Sequence, residues 1–495
     1  MKKILFTITA IVSSIFLFSC KSENSTDTLR MSITSEPDSF FPWNSAAADT
    51  SAIYDNIFEG LTGFNEKGTI YNALAENYSV SSDNLTYTFN LRKGVKFHNG
   101  EEFTSKDCVY TYENLAGLNG KTPRADKMHV VEKVWADDDY TFSVKLKKIT
   151  GGFPGLATSP ILLHDYSDNE KHPVGTGPYK FVEYTLHEKV VLERNDEYYD
   201  SSRAGKIKNI ELYIITDENA AISALKSGQI HIAQMISGPN ARHLNSQFKV
   251  VSHPQNMVQI LGMNTTFPPF TDINVRKAIN CAVNKKEIIN SVFDGYGTEL
   301  YSNFSPILAE FYNSNLKDVY PSDIKKAEEY MAKSSYKDGF DLTITVPSNY
   351  QSHVDTAQII QNQLAKINIR CKILPVEWTS WLDRVYTKFD YEATVIAFAG
   401  KVEPAEVLRR YYSTYKRNFT RLNSPKFDKY FDMAETESNQ QKRAEYYKGC
   451  QKILTQEAPA VFICDPGRNI VMKKNVCGYT PYPIARYDFS KIYFE

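Results

Sequence analysis

Apolar and polar positions alternate through Leu85, Tyr87, Phe89 and Leu91, the period of two expected of a strand with one buried face. Thr104-Ser105-Lys106-Asp107 then predicts a helix start. The Thr104 hydroxyl serves as N-cap, and Asp107 three positions on complements the positive helix end. Asp272 predicts a second cap, ahead of an apolar stripe at Val275, Ala278, Ile279, Ala282 and Val283. Residues 322–333, 354–367 and 426–456 read as further helices. Leu29 to Thr34, Asp341 to Val346, Arg370 to Leu374 and Thr394 to Phe398 read as strands. No repeat interrupts this alternation. A chain of 495 residues exceeds one ordinary core, so a mixed α/β protein of two or three domains is expected.

The N-terminus follows a different pattern. Lys2 and Lys3 precede a largely apolar run from Ile4 to Phe18, and Leu17-Phe18-Ser19-Cys20 closes it. A charged start, a short apolar core and a small residue before the cut describe a secretory signal peptide, too short for an ordinary membrane span. The cysteine just after that cut resembles the bacterial lipobox, in which the thiol, and usually the new amine, is acylated. Residues 1–19 are therefore expected to be removed, leaving Cys20 as a lipid anchor. More than one acyl chain makes such anchoring stable, at roughly 0.8 kcal/mol per buried methylene. Residues 20–28 are polar and read as a tether. Beyond the leader no apolar run approaches the roughly 20 residues of a membrane helix.

Charge and candidate chemistry narrow the function. The formal net charge of −1 becomes more negative by two once Lys2 and Lys3 are lost. No basic block remains, which argues against nucleic acid as a partner. The 32 Tyr and 28 Phe suit a wide apolar-walled cleft as well as ordinary cores. Besides Cys20 there are Cys108, Cys281, Cys371, Cys450, Cys464 and Cys477, none in a CxxC pair. Mostly buried free thiols, with room for one bridge, are expected. The nine histidines are scattered, no HExxH or GxSxG occurs, and no metal site or serine elbow is indicated. Glu101-Glu102 and Asp137-Asp138-Asp139 lie in polar turn-like runs and read as solvated faces. Binding is expected, with no catalysis and no cofactor.

Several ordered segments resemble the extracellular solute-binding proteins of the oligopeptide and dipeptide class (family 5), which deliver ligands to ABC importers. They are Ile57-Phe58-Glu59-Gly60-Leu61-Thr62 with Ala73-Leu74-Ala75-Glu76, the stretch from Tyr87 to Gly100, and Val174-Gly175-Thr176-Gly177-Pro178-Tyr179. Leu225 to Ile230, Asn264-Thr265, Val275 to Ile279 and Glu457-Ala458-Pro459 continue the series. The resemblance covers essentially the whole mature chain. It implies a two-lobed periplasmic-binding-protein clamshell with an extra inserted domain. Residues 29–58, 171–265 and 463–495 would form lobe I, 59–170 the inserted domain, and 266–462 the other lobe. Gly175-Thr176-Gly177-Pro178 lacks phosphate-loop spacing and is expected to be a tight turn. Arg276 is expected at the surface or the cleft edge, its stem packed.

The resemblance also implies a mechanism: ligand binds between the lobes, and hinge closure engulfs it to the extent that it prefers the closed form. Partners would be a peptide, permease and ATPase subunits, and a membrane reached through Cys20. The protein would be a monomer in the bacterial cell envelope, facing the periplasm or the exterior. Peptide-binding relatives hold an extended ligand through main-chain hydrogen bonds. One side of that ladder corresponds here to Ser45-Ala46-Ala47-Ala48. On the other side, relatives carry a Trp-x-x-Asp-like segment whose carboxylate pairs with the peptide ammonium. This chain has Phe398-Ala399-Gly400-Lys401-Val402-Glu403-Pro404 there, without the aspartate. Three readings stay open. Glu403 takes the amine, and Glu403→Ala then weakens binding roughly tenfold or more; Lys401 with Arg409 or Arg410 favours an anionic ligand; or Lys401 faces solvent, and backbone and aromatics hold the ligand. Trp378, Trp381, Tyr411 and Tyr412 are candidate aromatic walls. The alternatives are a nickel or other metal chelate, haem, an oligosaccharide or an opine in the same fold, or a surface receptor without transport.

Overall fold

One mixed sheet of twelve strands runs through the protein, and two neighbouring strands tie its halves together. The structure is a computed structural model describing residues 27–45, 48–317 and 319–495. In the first half, Thr28–Ile33 pairs in parallel with Asn209–Ile214, and Lys189–Arg194 and Tyr179–Thr185 extend the sheet antiparallel. In the second, Phe340–Pro347 runs parallel to both Ile369–Val376 and Ala393–Ala399. Ala393–Ala399 in turn pairs antiparallel with Met257–Met263. The long strand Ala460–Met472 belongs to both halves: its start pairs with Met257–Met263 and its end with Lys249–Pro254.

The partner change falls at Gln255-Asn256 on one strand and near Asp465 on the other. Asn256 takes a left-handed φ of 56°, a conformation asparagine tolerates better than most residues. The Asp465 carboxylate accepts the Gln255 N–H at 3.0 Å across the crossing. Met257–Met263, expected in lobe I, is thus hydrogen-bonded into the second half. Strand pairing changes eight to ten residues before the lobe boundary expected after residue 265.

Between the first helix and the turn at residues 175–178 lies a separate four-stranded antiparallel sheet, ordered Ala75–Val80, Thr86–Leu91, Thr141–Leu146, Val131–Asp138. Its period-two strand buries Tyr87, Phe89 and Leu91. Helix Ser105–Ala116 packs on it with Thr104 as N-cap; the Asp107 carboxylate accepts the Thr104 N–H at 2.8 Å. The turn closes on the first half: Gly177 N–H donates to Ile57 O at 2.8 Å and Tyr179 N–H to Asn56 O at 3.0 Å. A Cβ on Gly175 or Gly177 would collide with those carbonyls, so glycine is required by close approach.

Asp272 caps helix Ile273–Ala282, accepting the Asn274 N–H at 2.8 Å. Two expectations change. Residues 426–456 form two helices, Pro425–Thr436 and Gln440–Glu457, because Asn439 starts a new one by accepting the Lys442 N–H at 3.1 Å. Arg276 is buried: it donates to Glu457 O at 2.9 Å and Phe270 O at 2.6 Å, satisfying carbonyls that helix C-termini leave unpaired. Cys108, Cys281, Cys371, Cys450, Cys464 and Cys477 are all free. Among the described residues no helix is long and apolar enough to cross a membrane.

Candidate functional site

The parallel strands of the second half end at Pro347, Val376 and Ala399, and ligand sites of open α/β sheets sit at such carboxyl ends. Beyond Ala399 lies a cavity of about 540 Å³. Ala399, Gly400 and Lys401 form one wall, Ser51, Tyr54 and Asp55 another, and Thr158, Ser159 and Pro160 of the inserted part a third. The crossing strands contribute Gln255, Met257 and Arg468, and the C-terminal segment from Tyr479 to Tyr487 closes the floor. All parts of the fold therefore meet at this cleft.

A second cavity of about 280 Å³ shares Asp55, Lys127, Thr158, Lys401, Ile484 and Arg486 with the first and adds Glu59, Arg203, Glu403 and Glu406. Glu59 is buried but fully occupied. It accepts from Tyr198 at 2.7 Å, Tyr199 at 3.1 Å and Thr176 at 3.2 Å, with Arg203 at 3.6 Å. Burial pushes the Asp55 carboxyl up to about 6, against the pull of Arg486.

The residues expected from sequence separate here. Cys20, Ala46 and Ala47 lie outside the described residues. Ser45 donates to Asp38 at 2.9 Å, and Ala48 opens the helix Ala48–Tyr54. That region reaches the cleft through Ser51, Tyr54 and Asp55. Phe398 stands behind the wall, between Phe419 and the Arg410 guanidinium 3.9 Å over its ring. Ala399, Gly400 and Lys401 line the cleft. Gly400 N–H donates to Asn256 O, and Asn256 Nδ2 donates to Lys401 O at 3.3 Å, so the crossing point holds this segment.

Glu403 reaches the smaller cavity but is already committed. It pairs with Arg443, whose side chain is only 1% exposed, and caps the helix Pro404–Leu408 by accepting the Ala405 N–H at 3.2 Å. Arg409 points outward to Glu435 at 2.8 Å. Trp381 and Tyr411 are core residues, whereas Trp378 is exposed and stacks on Trp381 at 5.4 Å. Tyr412 bonds to Asp432 at 3.2 Å. Sequence reasoning missed Asp55, Arg468 and Arg486. Asp55 lies two residues before the Ile57-to-Thr62 motif, the one local signal available; the two arginines had none.

A cleft at strand ends, framed by two halves joined through Gln255-Asn256 and the shared strand Ala460–Met472, is the architecture of a solute-binding protein. Residues 69–419 match the family described as bacterial extracellular solute-binding proteins, family 5 Middle, and the chain belongs to that family. Its members are non-enzymatic components of ABC transport. Over 488 aligned residues the chain is 28% identical to di/tripeptide-binding protein 1 of Pseudomonas aeruginosa, covering 90% of each. It superposes on the unliganded open form of MppA, a periplasmic murein tripeptide binding protein, with a TM-score of 0.84 at 23% identity, covering 94% of this chain and 97% of that one. For DppA of Helicobacter pylori in complex with the peptide STSA the TM-score is 0.69 at 26% identity, covering 94% and 98%.

Proposed function

We propose that the protein captures short peptides in the cleft beyond Ala399 and hands them to an ABC permease, tethered to the membrane through lipid on Cys20. The observation carrying this reading is the cleft itself. Its walls come from both sheet halves, and among the described residues only the segments through Gln255-Asn256 and Asp465 pass between those halves. Two adjacent strands of this kind form a hinge able to absorb a backbone rotation. On the strand pairing, residues 29–58, 171–254 and 466–495 act as one lobe, 257–465 as the other, and 59–170 as the inserted domain.

The ligand runs along Ala399-Gly400-Lys401, where the small side chains of Ala399 and Gly400 admit close main-chain approach. Ser45 and Ala48 belong to the opposite rim, and Phe398 stiffens the wall from behind. Glu403 and Arg409 act through Arg443 and Glu435 and do not touch the ligand. The protein acts as a monomer at the cell envelope. The reading is tested by titrating ligand-free protein, prepared by mild unfolding and refolding, with tripeptides in a calorimeter. Saturable one-to-one binding is expected; heat indistinguishable from dilution at every peptide concentration overturns peptide capture.

A further inference from the structure

We infer that the cleft selects peptides of net negative charge, and that Arg486 and Arg468 receive their carboxylates. This inference rests on the peptide reading above and names the class of peptide. Across the two joined cavities, Lys127, Lys401, Arg468 and Arg486 face the ligand space with only Asp55 and Glu406 to oppose them. The other charges there are consumed: Glu59 holds Arg203, and Glu403 holds Arg443. Among the described residues none of the four facing cations has a carboxylate within ion-pair distance.

Arg486 sits where three cavities adjoin. Its Nη1 donates to Phe64 O at 3.0 Å, while its buried Nε has no hydrogen-bond partner. Two carboxylates act on it through space, Asp55 and Asp488. Asp488 accepts from Tyr482 and Ser490, both at 2.5 Å, and has a cation of its own in Lys491 at 3.7 Å. Arg468 repeats the pattern on the hinge strand: Nη2 donates to Gln234 at 3.3 Å, and the buried Nε is unpartnered. Buried guanidinium donors without an acceptor are costly, and a planar fork of N–H groups matches a carboxylate bidentately. Asp55, on the facing wall, is the carboxylate left for the ligand's ammonium. It replaces the aspartate that the segment after Phe398 lacks.

The test uses full-length protein in detergent, stripped of ligand and titrated by calorimetry with Glu-Ala-Glu, Ala-Ala-Ala and Lys-Ala-Lys. The acidic tripeptide should bind at least about tenfold more tightly than the neutral one, and the basic one most weakly. Arg486→Met should cost the acidic peptide about tenfold or more and the neutral peptide less than about threefold. Arg468→Met should act in the same direction. Because Arg486 also bonds Phe64, its variant is accompanied by a melting curve; the charge series on the unaltered protein stands without it. Equal affinities, or tightest binding of Lys-Ala-Lys, overturn charge selection and leave peptide capture intact. Failure of all three to bind overturns peptide capture, and the inference with it.

Discussion

Replacing Glu403 with alanine separates a ligand contact from a structural one. The side chain is 19% exposed, its partner Arg443 1%. Without the carboxylate the guanidinium keeps Ala434 O at 3.2 Å and the Tyr447 hydroxyl at 3.1 Å, neither of them charged. Removing one member of a buried ion pair costs about 3–5 kcal/mol. Losing the cap on Pro404–Leu408 adds about 1 kcal/mol. Partial exposure of Glu403 places the pair at the low end, so the expected loss is about 4 kcal/mol of unfolding free energy. Urea unfolding followed by circular dichroism measures it. Tripeptide affinity of the folded fraction should change by less than about threefold. Glu403→Leu combined with Arg443→Met, which removes both charges, should recover much of the loss. Unaltered stability with roughly tenfold weaker peptide binding would show that Glu403 faces the ligand, and the assignment to Arg443 would be wrong.

Acid should destabilise the protein through His98. Burial lowers its pKa from 6.5 to about 4. The unfolded chain therefore takes the proton first, and stability that is full above pH 6.5 is lost as pH falls toward 4. His98→Gln should reduce the pH 7 to pH 5 loss by about 2 kcal/mol in unfolding titrations; an unchanged slope refutes the assignment. Asp55 and Asp465, both raised to about 6 by burial, act in the opposite sense over that range. Gly400→Ala should weaken peptide binding about tenfold or more, because the added Cβ collides with Asn256 at the hinge; wild-type affinity by calorimetry contradicts this. Cys20→Ser should move the protein from the membrane to the soluble fraction on cell fractionation, and retention in the membrane contradicts a lipid-only anchor.

Local signals carried well from sequence to structure. The alternation through Leu91 and the caps at Thr104 and Asp272 depend on residues a few positions apart, and each formed as expected. The break at Asn439 falls inside the wholly polar run from Glu435 to Arg443, where no apolar periodicity marks a boundary, and a single cap decided the outcome. Arg409 and Arg410 are neighbours, yet one reaches Glu435 in solvent and the other tucks over Phe398. The short helical turn Arg409–Tyr411 sets those directions, and sequence spacing cannot. Asp55 and Arg486 meet only because the C-terminal segment folds back under the first helix. The cleft's charge was therefore legible only in three dimensions, whereas Ala399-Gly400-Lys401, which lines the cleft, was already a candidate through the family resemblance.

Native mass spectrometry of the purified protein, before and after mild unfolding releases carried-over ligand, addresses peptide capture most directly. The account predicts a set of co-purified masses differing by amino-acid residues, weighted toward those containing aspartate or glutamate. A single non-peptide mass, with no peptide taken up after stripping, would contradict it.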